Sequence, residues 1–301
     1  MVPLPSASSI GVHGLIPLAA PNLTGKEAEY AAQAIARGYI GPRGPFVEKF
    51  EAAVARAADC QWAVAVITGS AAIHATAVAL GFNGGKVRVY SGAYPAARNV
   101  FYQLGCELVE SDPYWEGDDV GIGEDHDFAY YRNQRGAKLG FADCAPAIGE
   151  TREDGWVVAE CYSFAANKIV TCGQGGAVVG NGRTMENAIR EVIQQGRRRD
   201  GIANWRMADI NAAIGCAQME RLDELKAAKR RIWQRYADAG LPMMERGASR
   251  WMATTTRKVD IAKLAEMGIE AREECGGVSL PCGTGLTETE QEAVVRACGK
   301  F

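Results

Sequence analysis

Apolar residues fall into short runs that alternate with amphipathic stretches along most of the chain. The apolar run 62–67 is followed by Thr68-Gly69-Ser70 and then by a helical pattern over 71–80. A strand, a turn of small residues and a helix, in this order, form the repeating unit of an α/β sheet. The pattern continues downstream and predicts an α/β protein, with further strands near 87–90, 107–109, 139–142, 157–161 and 177–179.

Helix boundaries are suggested by capping patterns. Thr24 and Glu27 have the spacing of a capping box, which predicts a first helix that ends at Gly38. A second amphipathic helix is expected over 47–57. A long helical run over 209–239 carries dense charge in its second half, as on a solvated helix face. A second capping box, Thr287 with Glu290, begins the last predicted helix.

These elements predict a tail over 1–15, a large domain over 16–222, and a connecting helix with a small C-terminal domain over 223–301. A formal charge of −3 argues against a general nucleic-acid binder. The nine cysteines are scattered without a CxxC pair, which favours reduced core thiols. The start of the chain lacks a signal-peptide pattern and no apolar run is long enough to cross a bilayer, so we expect a cytoplasmic protein.

Several residues could carry chemistry, although each has an ordinary alternative. Lys168 lies past a predicted strand among small residues and glycines. Burial there beside other positive groups would lower its pKa, as a Schiff-base lysine requires, but most lysines are solvated surface groups. Gly69 and Ser70 lie at a helix start that favours a phosphate or is a plain N-cap. Asp143 ends an apolar strand, where a carboxylate holds a pyridine nitrogen protonated or caps a helix. Tyr94, in a turn, suits stacking on a flat ring or ordinary packing.

Taken in order, the motifs resemble the DegT/DnrJ/EryC1/StrS sugar aminotransferase family of fold type I pyridoxal-phosphate-dependent enzymes. The resemblance covers most of residues 16–240. It implies an α/β fold with a large, mostly parallel α/β/α domain and a small C-terminal α+β domain. The matching blocks are Thr68-Gly69-Ser70-Ala71-Ala72-Ile73-His74, Asp143-Cys144-Ala145, Ser163-Phe164 with Lys168, Gly173-Gln174-Gly175-Gly176, and the stretch from Asn204 to Gly215.

The resemblance also implies roles at the cofactor's ring. Lys168 would bind pyridoxal 5′-phosphate as an aldimine and then shuttle a proton between the substrate Cα and the cofactor. Asp143 would pair with the pyridinium nitrogen, and Tyr94 would stack on the ring. Together these roles predict an enzyme in which Lys168 and Asp143 are the catalytic residues.

At the cofactor's phosphate the resemblance implies a second group of residues. The backbone amides of Gly69 and Ser70 and the hydroxyl of Ser163 would hold the phosphate. Asn204 would reach the cofactor of the neighbouring subunit. The resemblance therefore implies a homodimer with shared active sites, acting on a small-molecule amino donor and a carbonyl acceptor.

The sequence departs from the family pattern at several places. Pro146 stands where the family has Gln or His, Gln174 where it has an acidic residue, and Ala142 beside the aspartate where an acidic residue is common. The segment between Asp112 and Asp143 is short, and the C-terminal part lacks an identifiable histidine–tyrosine–proline loop. We therefore expect a more open site than is usual for the family.

Transamination onto a sugar-nucleotide-like or related carbonyl substrate is the first hypothesis. The dehydratase branch has histidine in place of the lysine, so Lys168 argues against that branch. The alternative is a pyridoxal-phosphate-dependent decarboxylase or Cα–Cβ lyase on a bulkier amino-acid-like substrate, including an amino-acid adduct of a nucleobase, for which Arg197-Arg198-Arg199 would suit phosphates. A non-catalytic scaffold is disfavoured because the lysine is kept.

A metal site is not expected. His13, His74 and His126 show no ligand spacing with cysteines. His74 is predicted to be a packed or partly exposed residue of its helix.

Overall fold

The strands of the fold form three sheets. The computed structural model describes residues 14–90, 94–111, 129–132, 140–146, 148–149, 157–194, 204–245, 251–274 and 276–299. The strands are β1 (Trp62–Val66), β2 (Lys86–Tyr90), β3 (Glu107–Ser111), β4 (Ala129–Arg132), β5 (Gly140–Asp143), β6 (Val157–Ser163), β7 (Gly176–Gly180), β8 (Ala253–Thr255), β9 (Arg272–Glu274) and β10 (Gly277–Leu280).

The largest sheet has five strands in the order β1-β7-β6-β5-β4. Strands β5 and β6 are parallel, β7 is antiparallel to β1 and β6, and β4 is antiparallel to β5. Three of the five strands, β1, β5 and β6, therefore share one direction. Strands β2 and β3 form a separate parallel pair, and β8-β10-β9 form a small antiparallel sheet. The predicted α/β fold is confirmed, and each predicted strand has a counterpart.

Helices cover both faces of the five-stranded sheet. The helices are α1 (Glu27–Ala36), α2 (Pro45–Ala57), α3 (Gly69–Ala79), α4 (Pro95–Gln103), α5 (Arg183–Ile193), α6 (Asp209–Met219), α7 (Leu222–Asp238), α8 (Ile261–Glu266) and α9 (Glu288–Cys298). Alternate residues of a strand point to opposite faces. Accordingly, Ala63 and Ala65 of β1 join one apolar cluster with α2 and α6, and Val64 and Val66 join another with α3, α4 and α5.

A third apolar cluster lies at the end of the chain. It joins α7, α8 and α9 to β8 and β10, around residues such as Tyr236, Leu264 and Val294. Trp251 packs against this cluster and also against the cluster that contains α2 and α6. One aromatic side chain therefore connects the apolar cores of two regions.

Two predicted helix boundaries were wrong. Helix α1 begins at Glu27 without a side-chain cap, because the buried Glu27 carboxylate accepts a hydrogen bond from Gln218 Nε2 (2.5 Å). The Thr24 hydroxyl donates to Asn22 Oδ1 (2.7 Å) instead. The run over 209–239 is two helices, since the Arg221 N–H turns back to the Gln218 carbonyl between α6 and α7 (3.0 Å).

Other local predictions were confirmed. Thr287 and Glu290 form both hydrogen bonds of the capping box that begins α9. The described cysteines are free thiols, and all of them except the half-buried Cys60 are buried. His74 packs on Trp205, with ring centroids 4.7 Å apart, and burial lowers the pKa of its imidazole. His13 and His126 lie outside the described residues.

The described residues contain neither a membrane-spanning helix nor a metal-binding cluster. No helix among them has the length and apolar character needed to span a membrane. In the same segments, no group of three or more His, Cys, Asp or Glu side chains could hold a metal ion.

Candidate active site

Asp143 and Lys168 lie near each other where two neighbouring strands end. Asp143 is the last residue of β5 and pairs in register with Cys161 of β6, the strand that leads to Lys168. Asp143 Oδ1 accepts a hydrogen bond from the Ala145 N–H (3.0 Å). Burial raises the pKa of Asp143 to about 6, although this hydrogen bond and the positive charge of Lys168 oppose the rise. The structure therefore brings the two predicted catalytic residues close enough for the charge of Lys168 to act on the pKa of Asp143.

The Lys168 side chain lies against an aromatic ring that the sequence did not indicate. Its backbone N–H closes a turn onto the Ala165 carbonyl (3.0 Å). Its Nζ lies 3.7 Å from the ring centroid of Trp251, close enough for a cation–π contact. Trp251 Nε1 donates to the carbonyl of Asn167, the residue before the lysine (3.0 Å). Trp251 lies more than 80 residues downstream and in no motif, so local patterns gave no signal for it.

The turn that begins α3 presents two backbone N–H groups that can bind an anion. Thr68 Oγ1 accepts from the Ala71 N–H (3.0 Å), and the Thr68 carbonyl accepts from the Ala72 N–H (3.1 Å). Gly69 and Ser70 are the first two residues of the helix, and amides in these positions have no acceptor within a helix. Their N–H groups, at the positive end of the helix dipole, suit a phosphate.

Close packing brings Ser163 to this turn. A Cβ added to Gly69 would lie 2.8 Å from the Ser163 Cβ and 3.2 Å from its hydroxyl oxygen. A Cβ on Gly176 would lie 2.3 Å from the Thr68 carbonyl oxygen. Glycine is therefore required at both positions. We call Gly69, Ser70 and Ser163 the phosphate cradle, and its donor set fits the phosphate of pyridoxal phosphate.

Tyr94 and Asn204 lie on the surface of the single chain. Tyr94 precedes α4, where its carbonyl accepts from the Ala97 N–H (3.0 Å), and the residue is 69% exposed. Its stacking role stays a prediction. Asn204 is exposed and forms an isolated antiparallel β-bridge with Gln194. Its Oδ1 accepts a hydrogen bond from Arg206 Nε (3.1 Å). An exposed asparagine is compatible with contact to a second subunit, and this role also stays a prediction.

Arg206 links Asn204 to a shallow open depression on the surface. Arg206 and Arg43 come from distant parts of the sequence and both line this depression. Neither forms an ion pair within the described segments. The surface therefore carries two guanidinium groups able to bind anionic groups of a ligand. The depression is lined by Gly38, Tyr39, Gly41, Pro42, Arg43 and Arg206.

Two of the residues that depart from the family pattern, Ala142 and Pro146, lie close to Asp143 in the sequence, and the third, Gln174, precedes β7. Ala142 is fully buried in the cluster with α2 and α6, where a carboxylate would be desolvated. Pro146 is half-buried in the turn after β5, and Gln174 is exposed before β7. Arg197-Arg198-Arg199 lies outside the described residues.

Comparison with known proteins gives one consistent family. Residues 21–114 and 133–272 match the model of the DegT/DnrJ/EryC1/StrS aminotransferase family. GDP-perosamine synthase of Caulobacter vibrioides is 30% identical over 360 residues, covering 94% of this chain and 97% of the relative. That of Vibrio cholerae is 32% identical over 267 residues, covering 76% and 72%. The first alignment is longer than this chain, so the relative has segments that this chain lacks.

A solved structure shows the same fold. CalS13 from Micromonospora echinospora, described as a sugar aminotransferase, superimposes with a TM-score of 0.75. The match covers 95% of this chain and all of CalS13, at 19% identity. The family model has no match between residues 114 and 133, inside the segment that the sequence marks as short.

Proposed function

We propose that this chain, which belongs to the DegT/DnrJ/EryC1/StrS aminotransferase family and uses pyridoxal phosphate, transfers an amino group to a nucleotide-linked keto sugar. The observation that carries the proposal is the electrostatic interaction of Lys168 with Asp143 at the end of β5, beside the phosphate cradle. Each group has the chemistry that one part of this cofactor needs, and two relatives that cover 94% and 76% of this chain are named GDP-perosamine synthase.

The protein's residues divide the work at the site. The cofactor, when bound, supplies a conjugated ring that withdraws electrons from the substrate Cα. Lys168 is the residue proposed to bind it and to move a proton at Cα. Asp143, with its pKa of about 6, is ionised at neutral pH and would keep the ring nitrogen protonated by pairing with it. The phosphate cradle would hold the cofactor's phosphate and so help to orient the bound group.

The substrate and the assembly are the less direct parts of the proposal. The names of the relatives indicate a sugar carried on a nucleoside diphosphate. Arg43 and Arg206 offer guanidinium groups for the phosphates of such a ligand. The exposure of Asn204 supports a homodimer in which this residue reaches the partner's site. The division at residue 222 into a large and a small domain, and a cytoplasmic location, stay predictions.

The first experiment tests the cofactor site. The purified protein is loaded with pyridoxal phosphate, reduced with borohydride and mapped by peptide mass spectrometry. We expect a single pyridoxyl adduct on Lys168 and none in a Lys168→Ala variant. Lys226, whose ammonium donates to the Gly149 carbonyl (2.9 Å), is an internal control that should stay unmodified. An adduct on another lysine would refute the assignment.

The second experiment tests the reaction. Glutamate should bleach the cofactor's long-wavelength absorbance and yield 2-oxoglutarate, and a GDP-linked keto sugar should restore the absorbance and yield an amino sugar. Carbon dioxide in place of a keto acid would contradict transamination and favour the decarboxylase alternative. A TDP-linked keto sugar in a parallel reaction compares nucleotides, because relatives of the same fold include DesI, described with its TDP-sugar product.

A further inference from the structure

Trp251 contacts the lysine segment in two independent ways. Its ring face receives the Lys168 ammonium at 3.7 Å, and its Nε1 donates to the Asn167 carbonyl at 3.0 Å. The first contact depends on the charge of the lysine, and the second fixes the backbone from which that lysine extends. Both contacts come from one side chain outside the strands and turns that form the rest of the site.

The other end of Trp251 is also held. Its carbonyl accepts hydrogen bonds from Lys229 Nζ (2.9 Å) and from Cys282 Sγ (3.5 Å). Lys229 lies on α7 and is only 3% exposed, so its ammonium depends on these few partners. Because the carbonyl and the indole N–H are both fixed, the orientation of the ring over Lys168 is fixed as well.

A ring in this position changes the proton affinity of Lys168. The face of an indole attracts an ammonium ion and not a neutral amine, so the contact favours the protonated lysine. The negative charge of Asp143 acts on Lys168 in the same direction, since a nearby opposite charge also favours the protonated amine. A lysine that binds an aldehyde or abstracts a proton must first be neutral. The ring therefore affects both the position and the protonation of the amine.

We infer that Trp251 is a positioning residue, which holds the Lys168 amine against its indole face whenever the lysine is not covalently bound to the cofactor. This inference rests on the proposed role of Lys168. The region after α7 therefore contributes to the site, because it supplies the indole face on which the Lys168 amine lies when it is not bonded to the cofactor.

The test uses cofactor-free protein. Lysines are acylated briefly at a series of pH values between 7 and 11, and the Lys168 peptide is quantified by mass spectrometry. In Trp251→Leu we expect the midpoint of the pH profile to fall by about half to one pH unit, a three- to tenfold faster reaction at a fixed lower pH. Trp251→Phe keeps an aromatic face and should retain most of the wild-type midpoint.

The chain offers a matched control. Trp233 also donates from Nε1 to a backbone carbonyl, that of Met244 (3.1 Å), and packs in the third apolar cluster. Trp233→Leu should leave the Lys168 midpoint unchanged. A fall in the midpoint separates the loss of the aromatic face from greater exposure, because greater exposure hydrates the ammonium and so raises the midpoint.

The Lys168 midpoints of Trp251→Leu and Trp233→Leu decide whether Trp251 has a positioning role. An unchanged midpoint in Trp251→Leu, or an equal shift in Trp233→Leu, would overturn the inference. Since the measurement needs no cofactor, it is independent of the borohydride experiment. If the pyridoxyl adduct forms on another lysine, the proposed function fails while the midpoint still reports the contact. If the adduct forms on Lys168 and the midpoint does not move, only the positioning role fails.

Discussion

The phosphate cradle and the surroundings of Lys168 are adjoining parts of one site, but they are built from different kinds of contact. The cradle depends on a short turn after β1 and on backbone packing against Ser163 and Gly176. The lysine depends on side chains from distant parts of the sequence, Asp143 and Trp251. The cradle is therefore a rigid backbone structure, whereas the lysine environment is set by electrostatics that a single side-chain change can alter.

This difference predicts distinct responses to mutation. Changes in the cradle should lower the stability of the fold together with cofactor affinity, because the same backbone atoms serve both. Changes around the lysine should alter proton transfer and leave the fold largely intact.

Removal of the lysine amine should have the largest effect. Lys168→Ala should reduce the transamination rate by at least about 10²- to 10⁴-fold, the usual contribution of a general acid–base group, with little change in unfolding free energy. Steady-state assays and denaturant titration measure the two quantities. Lys226→Ala, which removes a hydrogen bond to the Gly149 carbonyl, is the control and should retain activity. Comparable activity in both variants would contradict the role of Lys168.

A methyl group on Gly176 should disturb both the fold and the cradle. A Cβ there would lie 2.3 Å from the Thr68 carbonyl oxygen and 2.7 Å from the Gly69 nitrogen, atoms that move only with the backbone. We expect Gly176→Ala to cost about 3 kcal/mol in unfolding free energy and to weaken cofactor binding. Gly41→Ala, with no atom near the added Cβ, should be close to neutral. A stable Gly176→Ala with normal affinity would show that the turn can shift.

Replacement of Asp143 should separate stability from activity. Burial raises the pKa of Asp143 in the folded state to about 6, so the folded chain holds a proton more tightly than the unfolded chain. The stability of the cofactor-free protein therefore decreases as pH rises from about 4 to 6, and this loss persists at pH 7. Asp143→Asn retains an acceptor for the Ala145 N–H and should remove the loss.

We expect Asp143→Asn to be more stable than the wild type by about 2 kcal/mol at pH 7 and to lose this advantage near pH 4. Its transamination rate should fall, because a neutral amide does not keep the ring nitrogen protonated. Urea titrations at pH 4, 5.5 and 7 measure the first effect. A pH-independent difference between the two proteins would show that Asp143 is not desolvated.

The same division explains what could be predicted from the sequence. The turn of the cradle is encoded locally: an apolar strand, Thr68 and two small residues before a helical pattern predicted the turn, while its phosphate-binding role and the part of Ser163 came from the family resemblance and stay predictions. Strand β5 and its terminal Asp143 were likewise visible as an apolar run. Trp251 was missed because its position depends on how the chain end folds against the turn after β6. The Thr24–Glu27 pattern failed for a similar reason, since the distant Gln218 binds the Glu27 carboxylate.

The smallest predicted effect concerns the N-cap of α3 and tests whether the cradle depends on this cap. Thr68→Ala removes the acceptor of the Ala71 N–H and should cost about 1 kcal/mol, while Thr68→Ser keeps a hydroxyl and should cost less. Because Gly69 and Ser70 lie in the same turn, a loosened cap should also weaken cofactor binding by a few-fold. Thermal unfolding and cofactor titration measure the two effects. If stability falls and affinity does not, the packing of Gly176 against the Thr68 carbonyl is sufficient to hold the cradle without its cap.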